Sequence, residues 1–272
     1  MRPTLPLVFL ACAGEAASAQ DSRLSKWNYN LFNPTPREQR REMSADRPDF
    51  TESPYTVDAG AVQVEMSLFD YSRDGDAEAW SVFPANLKVG LLNSTDLQVV
   101  LSPYVKEDDG ADTADGLGDT EVRLKVNLWG NDSGETAFAF MPFVKIPTGS
   151  GDLTNDRIEG GLIFPFAMSL SERVGLGLMF EADFVFDDVS GDYNSEFITT
   201  GVLGFDVTDR VGTYVELIGI ASTASDVDYR AIIGAGATYS ISGDVSLDAG
   251  LNIGLTGDTG DLNFFSGITF RF

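Results

Sequence analysis

The sequence has no histidine and only one cysteine, Cys12. The first absence removes Ser-His-Asp hydrolysis, Cys-His nucleophiles and His-ligated metals together. A single cysteine can form neither an internal disulfide nor a thiolate metal cage. Basic residues are scarce: 18 Lys and Arg stand against 42 Asp and Glu, a formal net charge of -24. Phosphate backbones require concentrated basic charge, so nucleic acid is excluded as a partner. No run of about 18 apolar residues follows the N-terminus, so no transmembrane helix is expected. What is present is 272 residues with 43% hydrophobic content, 28 glycines and 19 phenylalanines. That apolar content is too high for a disordered acidic chain.

The N-terminus reads as an address. Arg2 precedes an apolar stretch over residues 5–13, and Ala17-Ser18-Ala19 gives a small-x-small cleavage pattern before Gln20. Residues 1–19 are therefore expected to be a secretory signal peptide. Its removal would take Cys12 with it. An exported chain this apolar and without a disulfide must be a stable soluble β-fold or a membrane β-barrel.

From Val62 onward the chain alternates with period two. Val62, Val64, Met66 and Leu68 alternate with Gln63, Glu65 and Ser67, and Val122, Leu124, Val126 and Leu128 with Arg123, Lys125 and Asn127. Such alternation places the apolar side chains on one face of a strand. About twelve strands are expected, near 62–71, 79–91, 96–106, 120–129, 136–146, 157–169, 174–186, 196–207, 211–221, 228–241, 245–255 and 263–272. Short links such as Asn93-Ser94-Thr95 and Ser242-Gly243-Asp244 swap strictly with longer ones near 72–78, 107–119, 147–156, 187–195, 222–227 and 256–262. Short turns at one rim and longer loops at the other are the asymmetry of outer-membrane barrels. The fold class expected is all-β, an antiparallel up-and-down transmembrane β-barrel over residues 61–272. The competing soluble sandwich would not need apolar residues on every strand with charges on an opposite, enclosed face. Pro84, Pro103, Pro142 and Pro165 fall inside proposed strands, and each implies a bulge or a missing ladder bond.

The last strand sets Phe264, Ser266, Ile268, Phe270 and Phe272 on one face and ends on an aromatic. That terminal strand resembles the signal by which barrel-insertion machinery recognises its clients. The expected location is the bacterial outer membrane, with membrane lipid and lipopolysaccharide as surroundings and both chain ends periplasmic.

If the apolar face meets lipid, the other face lines the lumen. The acids there are Glu65, Glu121, Glu159, Glu181, Asp183, Glu216 and Asp248. The bases are Lys88, Lys106, Arg123, Lys125, Lys145, Arg230 and Arg271. This mixed-charge lining is a candidate permeation path, or else a salt-bridge network that fills a narrow barrel. The long links hold nineteen acids against two bases, Arg73 and Arg157. No metal ligand set, cofactor motif or catalytic group emerges, so an enzyme is not expected.

Residues 20–60 are polar and aperiodic, with Pro34, Pro36, Pro48, Pro54 and the charge cluster 37–42. They are expected to form a periplasmic extension, as a flexible tether, favoured by composition, or as a plug. Trp27, Tyr29, Phe32 and Phe50 are the candidate plug anchors.

Several stretches carry a family resemblance. They are Arg47-Pro48-Asp49-Phe50-Thr51-Glu52-Ser53-Pro54, Gly116-Leu117-Gly118-Asp119 leading into residues 123–130, Pro142-Phe143-Val144-Lys145-Ile146-Pro147-Thr148-Gly149, and Glu159-Gly160-Gly161. Their order and spacing across residues 47–272 resemble the outer-membrane transporter family described as "putative meta-pathway of phenol degradation". The resemblance implies an outer-membrane barrel and transfers no catalytic motif. The function expected is passage of small solutes, apolar or aromatic compounds among them. The alternative is a closed structural or surface-interaction barrel with acidic extracellular loops and no transport.

Overall fold

The structure, a computed structural model, describes residues 26–187, 190–225 and 227–272. The expected signal peptide lies outside the described residues, as do Asp188 and Asp226 of the expected loops.

Twelve antiparallel strands close into one barrel. In chain order they are β1 (Val62–Asp74), β2 (Ala77–Val82 and Ala85–Leu92), β3 (Thr95–Leu101 and Tyr104–Asp108) and β4 (Thr113–Gly116 and Thr120–Trp129). Then follow β5 (Thr136–Ile146), β6 (Glu159–Ser171), β7 (Val174–Asp187) and β8 (Asp192–Asp206). The last four are β9 (Val211–Ser222), β10 (Arg230–Ser242), β11 (Val245–Gly254) and β12 (Leu262–Arg271). Each strand pairs with its sequence neighbours, and β12 closes on β1 from Gln63↔Arg271 to Arg73↔Leu262. Closure leaves no edge, which is the condition for strands to cross a bilayer.

The prolines mark where the ladder yields. Pro84 separates the two halves of β2, beside Phe83 at φ 60°, and Pro103 separates those of β3. With the break at 117–119 in β4 and the bulge at Ser67/Phe69 in β1, they form one row of interruptions across four adjacent strands. Pro142 and Pro165 stay within β5 and β6. There two successive pairs drop out of each register, Leu124↔Pro142 with Lys125↔Met141 and Ala139↔Pro165 with Phe140↔Phe164, beside a proline that has no N–H to give.

The rims differ from expectation in one respect. Two of the links expected to be long are tight: residues 75–76 and 109–112. The flanking strands run on instead, as do β7 and β8, which span 14 and 15 residues. Beyond the apolar slab both faces of a strand meet water, so the period-two signal vanishes although the strand continues. The opposite rim has the short turns and gathers Val62 with Phe272, whose N–H donates to the Val62 carbonyl at 2.9 Å.

The exterior is apolar. Leu178, Phe180, Phe184, Phe197, Leu203, Leu217 and Leu251 all face outward and are exposed. Stacked or tilted ring pairs run across the outer wall from Trp129 through Phe138, Phe164 and Phe180 to Phe197.

Candidate functional site: the barrel interior and the segment within it

The interior is not lined by polar groups alone. Met141, Ile163, Met179, Ile198 and Ile218 face inward and pack into one buried cluster, with Phe143, Ile220 and Ile232 against it. They come from successive strands β5 to β10. They share the inward parity of Lys145, Glu159, Glu181, Glu196, Glu216 and Arg230. The wall from β1 to β4 is lined by charges, with no such apolar band. One side of the lumen is ionic, and the other sets an apolar band among charges.

Between them lies the N-terminal extension. Residue 31 hydrogen-bonds to Leu91 and Arg40 Nη1 to the Phe272 carbonyl, so the segment starts at the short-turn rim. It runs up into the barrel, turns near residues 49–52 and returns to the same rim, where Ala61 leads into β1. Met43, Ala45, Asp46, Asp49, Thr51, Ser53, Val57, Asp58 and Ala59 are buried there. Composition favours a tether because the segment has no apolar periodicity. It is seated instead by side-chain pairs that periodicity does not register.

Those pairs are numerous. Asp46 accepts from Lys125 Nζ at 2.7 and 2.8 Å and also pairs with Lys88, which in turn pairs with Glu65. Glu65 Oε2 accepts from the backbone N–H groups of Asp46 and Arg47 at 3.0 and 3.2 Å. Arg47 makes a forked contact with Asp248, through Nε at 3.2 Å and Nη2 at 2.7 Å. Glu52 pairs with Arg123, itself held by Glu121. Glu216 accepts from the Phe50 and Thr51 N–H groups, both at 2.8 Å, and from Thr51 Oγ1. Nearer the rim, Asp58 sits 3.3 Å from Arg41 and 3.8 Å from Arg271.

Two glycines make room. A Cβ on Gly90 would collide with the Asp58 carbonyl, and one on Gly267 with the Arg47 guanidinium. Backbone and arginine approach the wall closely only where no side chain stands.

The fourteen candidate lining residues are all buried or half-buried. Glu65, Lys88, Arg123, Lys125, Glu216, Asp248 and Arg271 meet the segment. Lys145 pairs with Glu159 at 2.7 Å and Arg230 with Glu196 at 2.5 Å, both within the wall. Glu181 and Asp183 lie side by side above the segment's tip, and Lys106 stands on the upper half of β3. The candidate anchors are placed differently. Trp27 and Phe32 are exposed at 67% and 93%, outside the barrel. Tyr29 donates to Gln39, and Phe50 is exposed on the upper face of the tip. The seating is done by Asp46, Arg47, Thr51 and Glu52, charged and polar groups that aromatic content could not reveal. One signal did point there: the block 47–54, prominent in the family resemblance, is the tip itself.

Electrostatics inside the segment are uneven. The two lysines beside Asp46 hold its carboxyl well below the usual range against the cost of burial. Burial and then the Asp46 charge push Glu52 up to about 7. Burial and the neighbouring Glu216 carboxylate raise Asp49 as well. A cavity of about 300 Å³ remains above the tip, between Asp49, Phe50, Glu52, Arg123, Ile163 and Glu181.

A family model described as "Putative MetA-pathway of phenol degradation" matches residues 45–272. An outer membrane channel from Pseudomonas putida F1 superposes with a TM-score of 0.63 at 14% identity, over 84% of this chain and 100% of that one. The NanC porin superposes with a TM-score of 0.55 at 9% identity, over 77% of this chain and 98% of its own. At these identities the likeness is one of fold. No curated protein sequence matches.

Proposed function

The chain belongs to the family described as "Putative MetA-pathway of phenol degradation", and from that membership we propose an outer-membrane channel for small solutes, apolar or aromatic compounds among them, gated by its own N-terminal segment. The observation that carries this reading is the inward-facing cluster of Met141, Ile163, Met179, Ile198 and Ile218. Apolar side chains facing the inside of a barrel gain nothing from lipid. An apolar strip beside an ionic wall offers a solute both a surface to wet and a path through water. The stopper is built for release. It is seated mainly by polar pairs that water can replace when the segment moves, not by a large apolar interface.

The solute is expected to enter from the rim of extended strands and loops, meet the cavity of about 300 Å³, and pass when residues 43–58 withdraw toward the short-turn rim. The start of the described segment and Phe272 lie at that rim, which is the periplasmic one in this reading. The acidic outer links then face the environment. Membrane lipid and lipopolysaccharide surround the wall, and the exposed Phe272 is available to insertion machinery.

The test uses cells whose outer membrane excludes the apolar dye N-phenyl-1-naphthylamine. Expression of the protein is expected to speed dye uptake, and Ile163→Lys with Ile218→Lys to abolish the gain while the barrel still assembles. Uptake unaffected by the double substitution would defeat the apolar-path reading. The alternative closed barrel predicts no uptake in either case.

A further inference from the structure

Residues 26–33 lie outside the barrel, yet they are held firmly. Lys26 Nζ pairs at 3.1 Å with Asp132, on the turn between β4 and β5. The Leu31 N–H donates to the Leu91 carbonyl at 2.9 Å, and Asn30 forms a bridge with Leu92. The stretch thus crosses the feet of β4, β3 and β2 at the short-turn rim. Its own backbone closes into a tight loop. Asn30 and Asn33 exchange N–H to carbonyl bonds at 2.9 and 3.0 Å. Asn30 Oδ1 also accepts from the Phe32 and Asn33 N–H groups, at 2.9 and 3.1 Å. Leu31 and Phe32 form the tip of that loop.

What the loop presents is apolar. Trp27, Leu31 and Phe32 are exposed, Phe32 more than any other large apolar side chain among the described residues. A single exposed apolar residue on a slack chain is ordinary, whereas a group held out by a closed loop is positioned. The same surface continues onto the wall. Leu92, beside Asn30, is exposed, and so are Leu128 and Trp129 at the foot of β4, where Trp129 begins the row of rings on the outer face. Outer-membrane barrels carry aromatic girdles where the wall meets the interface. Tryptophan suits that place because its body is apolar and its N–H can stay wet. Charge agrees with this setting. Residues 26–41 hold four bases against one acid, and Arg37 keeps most of its side chain in water even as it pairs with Asp244. Anionic headgroups would be repelled by the acidic links of the opposite rim and not by this stretch.

We propose that Trp27, Leu31 and Phe32 form an interfacial anchor that dips into the phospholipid leaflet at the short-turn rim and fixes the foot of the N-terminal segment to the membrane. The anchor is joined to both ends of the segment. Pro34 lies against Gly60, where a Cβ would collide with it, and the Thr35 N–H donates to the Ala59 carbonyl at 2.8 Å. Any motion of residues 43–58 would therefore take place against a foot held in lipid. The anchor requires only that the barrel stand in a bilayer, and no solute need pass, so it stands or falls apart from the channel reading.

The full chain supplies its own probe. Its three tryptophans are Trp27, Trp80 and Trp129, so Trp80→Phe with Trp129→Phe leaves Trp27 alone to emit. The variant is folded into phosphatidylcholine vesicles with or without bromine near the headgroup end of the acyl chains. Trp27 is expected to lose roughly half its emission to the brominated lipid, as for a ring about 5–10 Å deep, and to be shielded from iodide in the water. Phe32→Trp in the same background, with Trp27→Phe, is expected to behave alike. If the wall substitutions impair assembly, the difference between the wild type and Trp27→Phe reads the same emission. Emission untouched by bromine would overturn the anchor, and is the outcome for a loop that faces water or serves a protein partner instead.

Discussion

Lys125 on β4 and Asp46 in the N-terminal segment meet inside the barrel, with both carboxylate oxygens accepting from one ammonium at 2.7 and 2.8 Å. The Lys125 side chain is wholly buried, and Lys88 shares the same carboxylate. One aspartate thus bridges two lysines on different strands, and Glu65 beside Lys88 supplies the second negative charge.

Asp46→Asn is expected to unseat the segment. Breaking a buried pair by removing one partner costs about 3–5 kcal/mol, because the remaining charge is left uncompensated. Here the lysines can recover water if the segment leaves the lumen. The expected outcome in planar bilayers is a several-fold larger conductance with an unchanged barrel melting transition. Conductance equal to wild type would show that this pair does not hold the stopper.

Gly90→Val tests the same idea from the wall. The added side chain would occupy the space of the Asp58 backbone, which cannot yield as a flexible side chain would. Protease should then cut within residues 26–58 at least several-fold faster, while the strands remain protected. Gly267→Ala is expected to have a milder effect, since it meets only the movable Arg47 guanidinium.

Closure should also depend on pH. Docking raises the Glu52 carboxyl from its ordinary 4.5 to about 7, through burial first and the Asp46 charge second, against the pull of Arg123 and Lys125. A raised value means the docked form binds the proton more tightly. Its contribution to docking is complete below about pH 4.5 and fades as pH rises through about 7. Asp49 is raised too and acts in the same direction. Asp46 is lowered, so its contribution fades only in acid, below the ordinary aspartate value of 3.8. The open fraction in single-channel records is expected to grow between pH 5 and pH 8, and Glu52→Gln to flatten that rise. A flat wild-type profile would contradict the assignment.

The lipid face carries its own expectation. Leu178 faces outward on the middle of β7. Leu178→Arg should cost about 2–4 kcal/mol if that height is the bilayer midplane. Folding titrations into lipid vesicles would measure it, with the same substitution at the rim residue Val207 costing about 1 kcal/mol or less.

Much of the fold was legible in the residues because one face of each strand is uniformly apolar. Val62, Val64, Met66 and Leu68 show it plainly, and the twelve expected strands correspond one to one with those in the barrel. The strand ends were less legible. Tyr193 to Ser195 and Thr113 to Gly116 are strand residues with water on both sides, so they carry no alternation. The inward apolar cluster was hidden for a related reason. Met141, Ile163 and Ile198 continue the polar face of their strands with apolar residues, and the rule that inside means polar passes over them. The lumen segment was hidden because much of its order comes from contacts far away along the chain, as between Arg47 and Asp248 or Thr51 and Glu216. Local patterning has no access to such pairs.

The hairpin of residues 43–61 touches β1 through Glu65, β2 through Lys88, β4 through Lys125, β7 through Met179, β8 through Thr200, β9 through Glu216 and β11 through Asp248. It therefore serves as a gauge of girth. A sheet that closed with one hairpin fewer or one more would leave some of these groups facing nothing. A segment that precedes β1 in the chain thus carries groups whose partners are spaced for twelve strands.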